Sequence, residues 1–207
     1  MVAGGRLDSR EMEQVRTNHP ADHVGAAAHQ QVEHGTDFGP RDFRNALGRF
    51  ATGVAVVTMR AQAEDHDGAG HSAAQQTFGI TVNAFMSVSL DPPLIAVSLD
   101  KRARAHATML AAGRFGISVL SDQQEGLSDA FAGRPVDPPA QPFEQFAGFP
   151  VVRGALTQLV LSAHQSHDAG DHTIFVGRVV ALRYAEGEPL LFFKGSYERL
   201  PALQPVT

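Results

Sequence analysis

From Pro40 onward, segments whose apolar residues alternate with a period of two outnumber segments with helical spacing, and the two kinds do not take turns. A doubly wound parallel sheet needs a helix after nearly every strand. This order predicts instead a mainly β fold, an antiparallel β-barrel with flanking helices. The period-two segments are 54–59, 79–82, 87–90, 115–120, 155–166, 173–184 and 190–193. Leu94 to Leu99 is a nearly continuous apolar run after the turn Asp91-Pro92-Pro93, which suits a strand buried on both faces.

Helical spacing appears in three places. Phe43, Ala46, Leu47 and Phe50 share one face, with Pro40 in the first turn and Gly53 as the stop. Residues 103–112 form a second helix that ends at Gly113. A third follows the capping box Ser121-Asp122-Gln123-Gln124, runs through Leu127 and Phe131, and ends by Gly133. Residues 134–142 hold four prolines and read as loop, and 61–76 reads as a long hairpin loop. Residues 1–38 are polar, with little periodicity, and read as a mobile N-terminal extension to a domain over 39–207.

The chain has 207 residues, of which 43% are hydrophobic, so one domain can bury a real core. A formal net charge of −5 argues against general binding to nucleic acid, which needs clustered cations. The absence of cysteine excludes disulfides, thiolate catalysis and Cys-ligated metals together. Neither a signal peptide nor a membrane span is expected, and a cytoplasmic protein is the simplest reading.

Two motifs fail on context. Gly68-Ala69-Gly70-His71-Ser72-Ala73 matches part of a dinucleotide loop but sits in a polar hairpin, without the strand before it or the helix after it. His164, His167, Asp168, Asp171 and His172 have the composition of a metal site, yet His164 and His167 are an odd number apart and would face opposite sides of a strand. His19, His23, His29 and His34 could also bind a metal, but they read as a solvated tail.

Three segments are unusual for a pure scaffold. In Thr81-Val82-Asn83-Ala84-Phe85-Met86-Ser87-Val88-Ser89, small hydroxyl and amide residues interrupt core strands. They suit either a flat heteroaromatic ligand or a polar β-bulge. Asp100-Lys101-Arg102-Ala103-Arg104 places three cations near a helix start, where they oppose the dipole unless an anion joins them. Gly170-Asp171-His172-Thr173 brackets a histidine that suits either a planar ligand or a simple hairpin.

On these blocks, and on Phe43 through Val54, Phe131-Ala132-Gly133, Gly170 through Gly177 and Pro189 through Phe193, the chain resembles the flavin reductases with an FMN-binding split barrel. The likeness runs from Phe43 to about Leu200 and is strongest to the reductase components of phenol 2-monooxygenase-type systems. It implies an antiparallel, Greek-key split barrel and hydride transfer from NADH, or NADPH, to FMN or FAD. It also implies a homodimer that hands reduced flavin to a separate monooxygenase. By the same resemblance Thr81, Val82, Asn83, Ala84, Phe85, Ser87 and Val88 line the flavin. Arg102 and Arg104, with Ala103 between them, hold its phosphate, Arg134 contacts it, and His172 lies beside the nicotinamide as the catalytic residue. A flavin-binding protein without turnover, and a pyridoxamine-phosphate oxidase on the same barrel, remain open alternatives.

Overall fold

The structure is a computed structural model that describes residues 38–60 and 76–200. The N-terminal histidines, the glycine pattern at 68–73 and nearly all of the 61–76 loop lie outside the described residues. Two compact units divide between Ala46 and Leu47. In the first, Pro40 opens helix α1 (Pro40–Leu47) and the Asp42 carboxylate accepts the Gly39 amide at 3.0 Å, satisfying one free donor of the first turn. Rings of Phe38 and Phe43 stack with centroids 6.0 Å apart.

Phe50 does not share that helix, as its spacing had predicted. Helix α1 ends at Leu47, the Phe50 amide closes a turn onto the Leu47 carbonyl at 3.0 Å, and Phe50 is 77% exposed. Gly48 provides the break, since glycine loses most entropy in a helix. Gly53, expected as the helix stop, lies instead in strand β1 (Thr52–Gly53).

The second unit is built on one seven-stranded antiparallel sheet. Its strands are β2 (Ala55–Arg60), β3 (Thr77–Val82), β4 (Phe85–Leu90), β5 (Pro93–Asp100), β6 (Arg114–Val119), β9 (Thr157–Ala169) and β10 (His172–Tyr184). Across the sheet they run β3-β2-β6-β9-β10-β5-β4. The two edge strands, β3 and β4, are consecutive in the chain and joined only by Asn83 and Ala84. Three peptide units span at most about 11 Å. The sheet therefore curls until its first and last strands stand within reach of that link, which makes it a barrel with a seam rather than an open sheet.

The central strands β2 and β6 bury both faces. Ala55, Val57 and Met59 meet Phe115, Ile117, Val97, Leu99, Leu161 and Phe175 inside the barrel, under Ala105 and Met109 of helix α2 (Ala105–Ala111). Val54 and Val56 face the other way, against Leu120, Val152, Leu190 and Leu127 of helix α3 (Glu125–Phe131). The capping box at Ser121–Gln124 forms ahead of α3 as expected, with the Ser121 amide donating to Gln124 Oε1 at 3.1 Å.

Two hairpins escaped the sequence reading. Strands β7 (Phe143–Phe146) and β8 (Phe149–Val152) turn through Ala147 and Gly148, both at positive φ. Strands β11 (Leu191–Phe193) and β12 (Ser196–Glu198) turn through Lys194 and Gly195, again both positive. Such turns usually announce themselves as Asn-Gly or Asp-Gly. Ala-Gly and Lys-Gly carry only half of that signal.

The β7–β8 hairpin is fastened by buried polar groups. The Thr58 hydroxyl donates to the Pro150 carbonyl at 2.6 Å, and Ser118 Oγ accepts the Val152 amide at 2.9 Å. Both side chains are fully buried. Thr58→Val keeps the shape but strands the Pro150 carbonyl, so it is expected to cost about 1–3 kcal/mol. Denaturant unfolding checks this; a loss below about 0.5 kcal/mol would contradict the assignment.

Candidate functional site

The barrel seam is where polar chemistry gathers. Strand β3 ends at Val82, which is 7% exposed and belongs to the core. Asn83 and Ala84 are exposed, and the Ala84 carbonyl accepts the Ser98 amide at 3.1 Å, tying the link to β5. Phe85 packs against the core, whereas Met86, Ser87 and Val88 are exposed along β4. A register shift between Ser87 and Ser89 makes Val88 the extra residue of a β-bulge. Among the described residues nothing pairs with the outer edge of β4. Its N–H and C=O groups are left for another partner.

Strand β5 carries the connection onward. It ends at Asp100, which stands opposite His172 in the β5–β10 ladder. The Lys101 amide then donates to the Asp171 carbonyl at 2.9 Å. The three unusual segments are thus hydrogen-bonded neighbours within one chain, with β5 bridging the first to the other two.

Between β5 and α2, residues 101–104 form a turn rather than the first turn of a helix, because Asp100 organises them. Its carboxylate accepts the Arg102 backbone amide at 2.8 Å and the Arg102 guanidinium at 2.7–3.3 Å. The Arg102 bonds hold the Asp100 carboxyl well below the usual carboxylate range, and Asp100 in turn raises Arg102. Arg102 is therefore not the unmatched cation that its place near a helix start had suggested. Lys101 reaches Asp168 at 3.3 Å. Arg104 is exposed and enters no ion pair among the described residues, which leaves it the cation of this turn best able to take an anion.

His172 opens β10 after Gly170, whose φ of +64° makes the two-residue turn possible. Its Nδ1 lies 2.7 Å from the Asp171 carboxylate. A carboxylate only accepts, so Nδ1 carries the proton of this bond and Nε2 stays available. That bond also lowers the Asp171 carboxyl. Behind His172, the buried Thr173 hydroxyl meets His106 Nε2 at 2.9 Å. His164 and His167 are exposed on β9, and no group of three possible metal ligands comes together among the described residues.

Thr81 and Arg134 belong to a second network. The Thr81 hydroxyl donates to the Ser128 carbonyl at 2.7 Å, so its polar end is committed to α3. Arg134 pairs with Asp129 at 3.1 Å. Ser128, Asp129 and Tyr197, which join these two residues, carry no motif by which a sequence reading would find them.

The sequence matches the family described as the Flavin reductase like domain over residues 47–201. The chain belongs to that family. Among curated relatives of this flavin reductase-like chain, an NADH-dependent flavin reductase of a Rhodococcus species is 44% identical over 164 residues, covering 79% of this chain and 88% of its own. The reductase component of 4-hydroxyphenylacetate 3-monooxygenase from Thermus thermophilus is 39% identical and covers 76% of this chain and 95% of its own. Among solved structures, the flavin reductase PheA2 in its native state superposes with a TM-score of 0.70 at 38% identity, covering 79% of this chain and 99% of that one. The split-barrel expectation holds. No helix among the described residues is long and apolar enough to cross a membrane.

The Asp100 turn has a definite acid response. A carboxyl lowered by folding contributes stability above its unfolded value of about 3.9 and loses that contribution as pH falls toward the folded value. The stability gap between the parent protein and Asp100→Asn should stay level from about pH 7 to 5, then narrow below about 3.9. A gap that widens on acidification, followed by denaturant unfolding across pH, would contradict this.

Proposed function

We propose that this chain is an NADH-dependent reductase of free flavin that releases its product to a separate monooxygenase. The carrying observation is the meeting of residues 83–88, 100–104 and 171–172 at the barrel seam. A flavin nucleotide fits the chemistry of that place. A planar ring finds small exposed side chains at Ala84 and Ser87, an amide at Asn83 and an unpaired strand edge along β4. A phosphate finds Arg104, with Arg102 beside it in the Asp100 turn.

Flavin, when bound, supplies the acceptor for the hydride that NADH gives up. The protein aligns the two rings and excludes alternatives. Donors at the seam favour a ring edge that gains negative charge. His172, its Nδ1 held by Asp171, presents its ring and Nε2 to the nicotinamide side. No acid or base pair is required of the chain, which suits a site without cysteine or paired carboxylates. Arg134 contributes from the end of α3.

In this reading residues 39–207 are the reductase domain and 1–38 an extension to it. The enzyme works in the cytoplasm as a homodimer. Support for a dimer comes from exposed apolar side chains on two strands: Met86, Val88 and Leu90 of β4, and Val180, Leu182 and Tyr184 of β10. The similarity to named NADH-dependent reductases favours NADH over NADPH. FMN and FAD share the ring and the first phosphate that the site addresses.

Incubation with NADH and excess FMN or FAD should oxidise many equivalents of NADH per protein, followed by absorbance. Flavin binding without NADH consumption would instead mean a binding protein. Asn83→Ala is expected to weaken flavin binding by about 1–3 kcal/mol, measured by fluorescence quenching. His172→Ala should raise the KM for NADH while flavin affinity holds; equal loss of both would make His172 structural.

A further inference from the structure

Tyr197 lies far along the chain from every segment above, yet its hydroxyl sits at the centre of a polar network. It is 2.8 Å from Asp129 Oδ1 and 2.8 Å from Ser128 Oγ. A phenol has one proton, and the carboxylate can only accept. Tyr197 therefore donates to Asp129, and the Ser128 hydroxyl donates to Tyr197. The same Asp129 oxygen receives Arg134 Nη1 at 3.1 Å, and the Arg134 guanidinium carbon stands 5.7 Å from the centre of the Tyr197 ring. The Arg134 backbone amide also bonds the Asp129 carbonyl at 3.1 Å. Ser128 is fully buried, and its carbonyl takes the Thr81 hydroxyl at 2.7 Å. Burial raises the Tyr197 phenol, which keeps it a donor through the neutral range.

Arg134 is half exposed and follows directly on α3, at the head of a proline-rich loop that carries no regular structure. On its own such an arginine samples many rotamers, at an entropy of about 2 kcal/mol. Here one nitrogen is fixed by Asp129 and the plane lies near an aromatic face. Among the described residues the remaining side-chain N–H donors of Arg134 have no hydrogen-bond partner, which leaves them for an incoming group.

We infer that Tyr197 is a positioning residue for flavin binding: its hydroxyl fixes Asp129, and through it the orientation of Arg134. This rests on the seam being the flavin site. It extends that reading to residues which touch no substrate themselves. The β11–β12 hairpin thereby contributes to the site, although it forms no part of the seven-stranded sheet.

A double-mutant cycle on FMN affinity, read by quenching of flavin fluorescence, tests it. Tyr197→Phe keeps the ring and removes only the hydroxyl. It should weaken FMN binding about 5-fold in the parent protein, but by less than about 2-fold when Arg134 is already alanine. Asp129→Asn, which removes the charge that holds Arg134, should behave like Tyr197→Phe in both backgrounds. Equal losses with and without Arg134, or no loss in either, would overturn the inference, as would Arg134→Ala leaving affinity unchanged. A merely structural tyrosine would lose stability without this dependence on Arg134. Because the cycle reads binding, it decides the point even if NADH is not oxidised, an outcome that would overturn only the reductase reading. Failure of the parent protein to bind FMN would overturn both.

Discussion

The structure depends on a link of two residues. Asn83 and Ala84 join strands that stand at opposite edges of a seven-stranded sheet. So short a link admits only a curled sheet, and the curl brings the edges together without pairing them. An unpaired edge carries main-chain donors and acceptors that ask for a partner. Closure thus leaves, at the seam, a strand edge with its backbone polar groups outside the ladder.

Elsewhere the chain treats polar groups differently. Thr58, Ser118 and Gln158 are buried, and each makes specific bonds that fasten the β7–β8 hairpin to the barrel. Two arginines, Arg60 and Arg114, lie over the Phe149 ring from the same hairpin, with guanidinium carbons 5.0 and 5.6 Å from its centre. That end of the barrel is satisfied internally. At the seam, by contrast, Asn83, Ser87 and Arg104 are exposed. The contrast separates residues that hold the fold from residues held by it.

Much of this was legible in the sequence for physical reasons. Strands such as β2 and β5 are long and apolar, so periodicity reports them, and the Ser121–Gln124 box marks a helix start through side-chain chemistry alone. The candidate site segments were legible as interruptions, where asparagine, serine and glycine break runs of strand-forming residues. What stayed hidden was of two kinds. Short hairpins turning on Ala147-Gly148 and Lys194-Gly195 lack the usual turn residues, so β7, β8 and β12 were missed and only the strand at 190–193, which became β11, was seen. Partnerships across sequence, such as Asp100 with Arg102 or Tyr197 with Asp129, depend on which elements the fold brings together. Local composition made Arg102 look like an unmatched cation, and only the turn geometry shows Asp100 matching it.

The family relationship and the candidate site rest on separate observations. The first comes from matched sequence over residues 47–201, the second from the ladder register that sets Asp100 against His172 and from the bond between Ala84 and Ser98. The most direct test is the amide NMR spectrum of the protein titrated with FMN. The largest shifts are expected at Val82–Val88, Lys101–Arg104 and Asp171–His172. Shifts centred on the β7–β8 hairpin, with the seam unmoved, would contradict it.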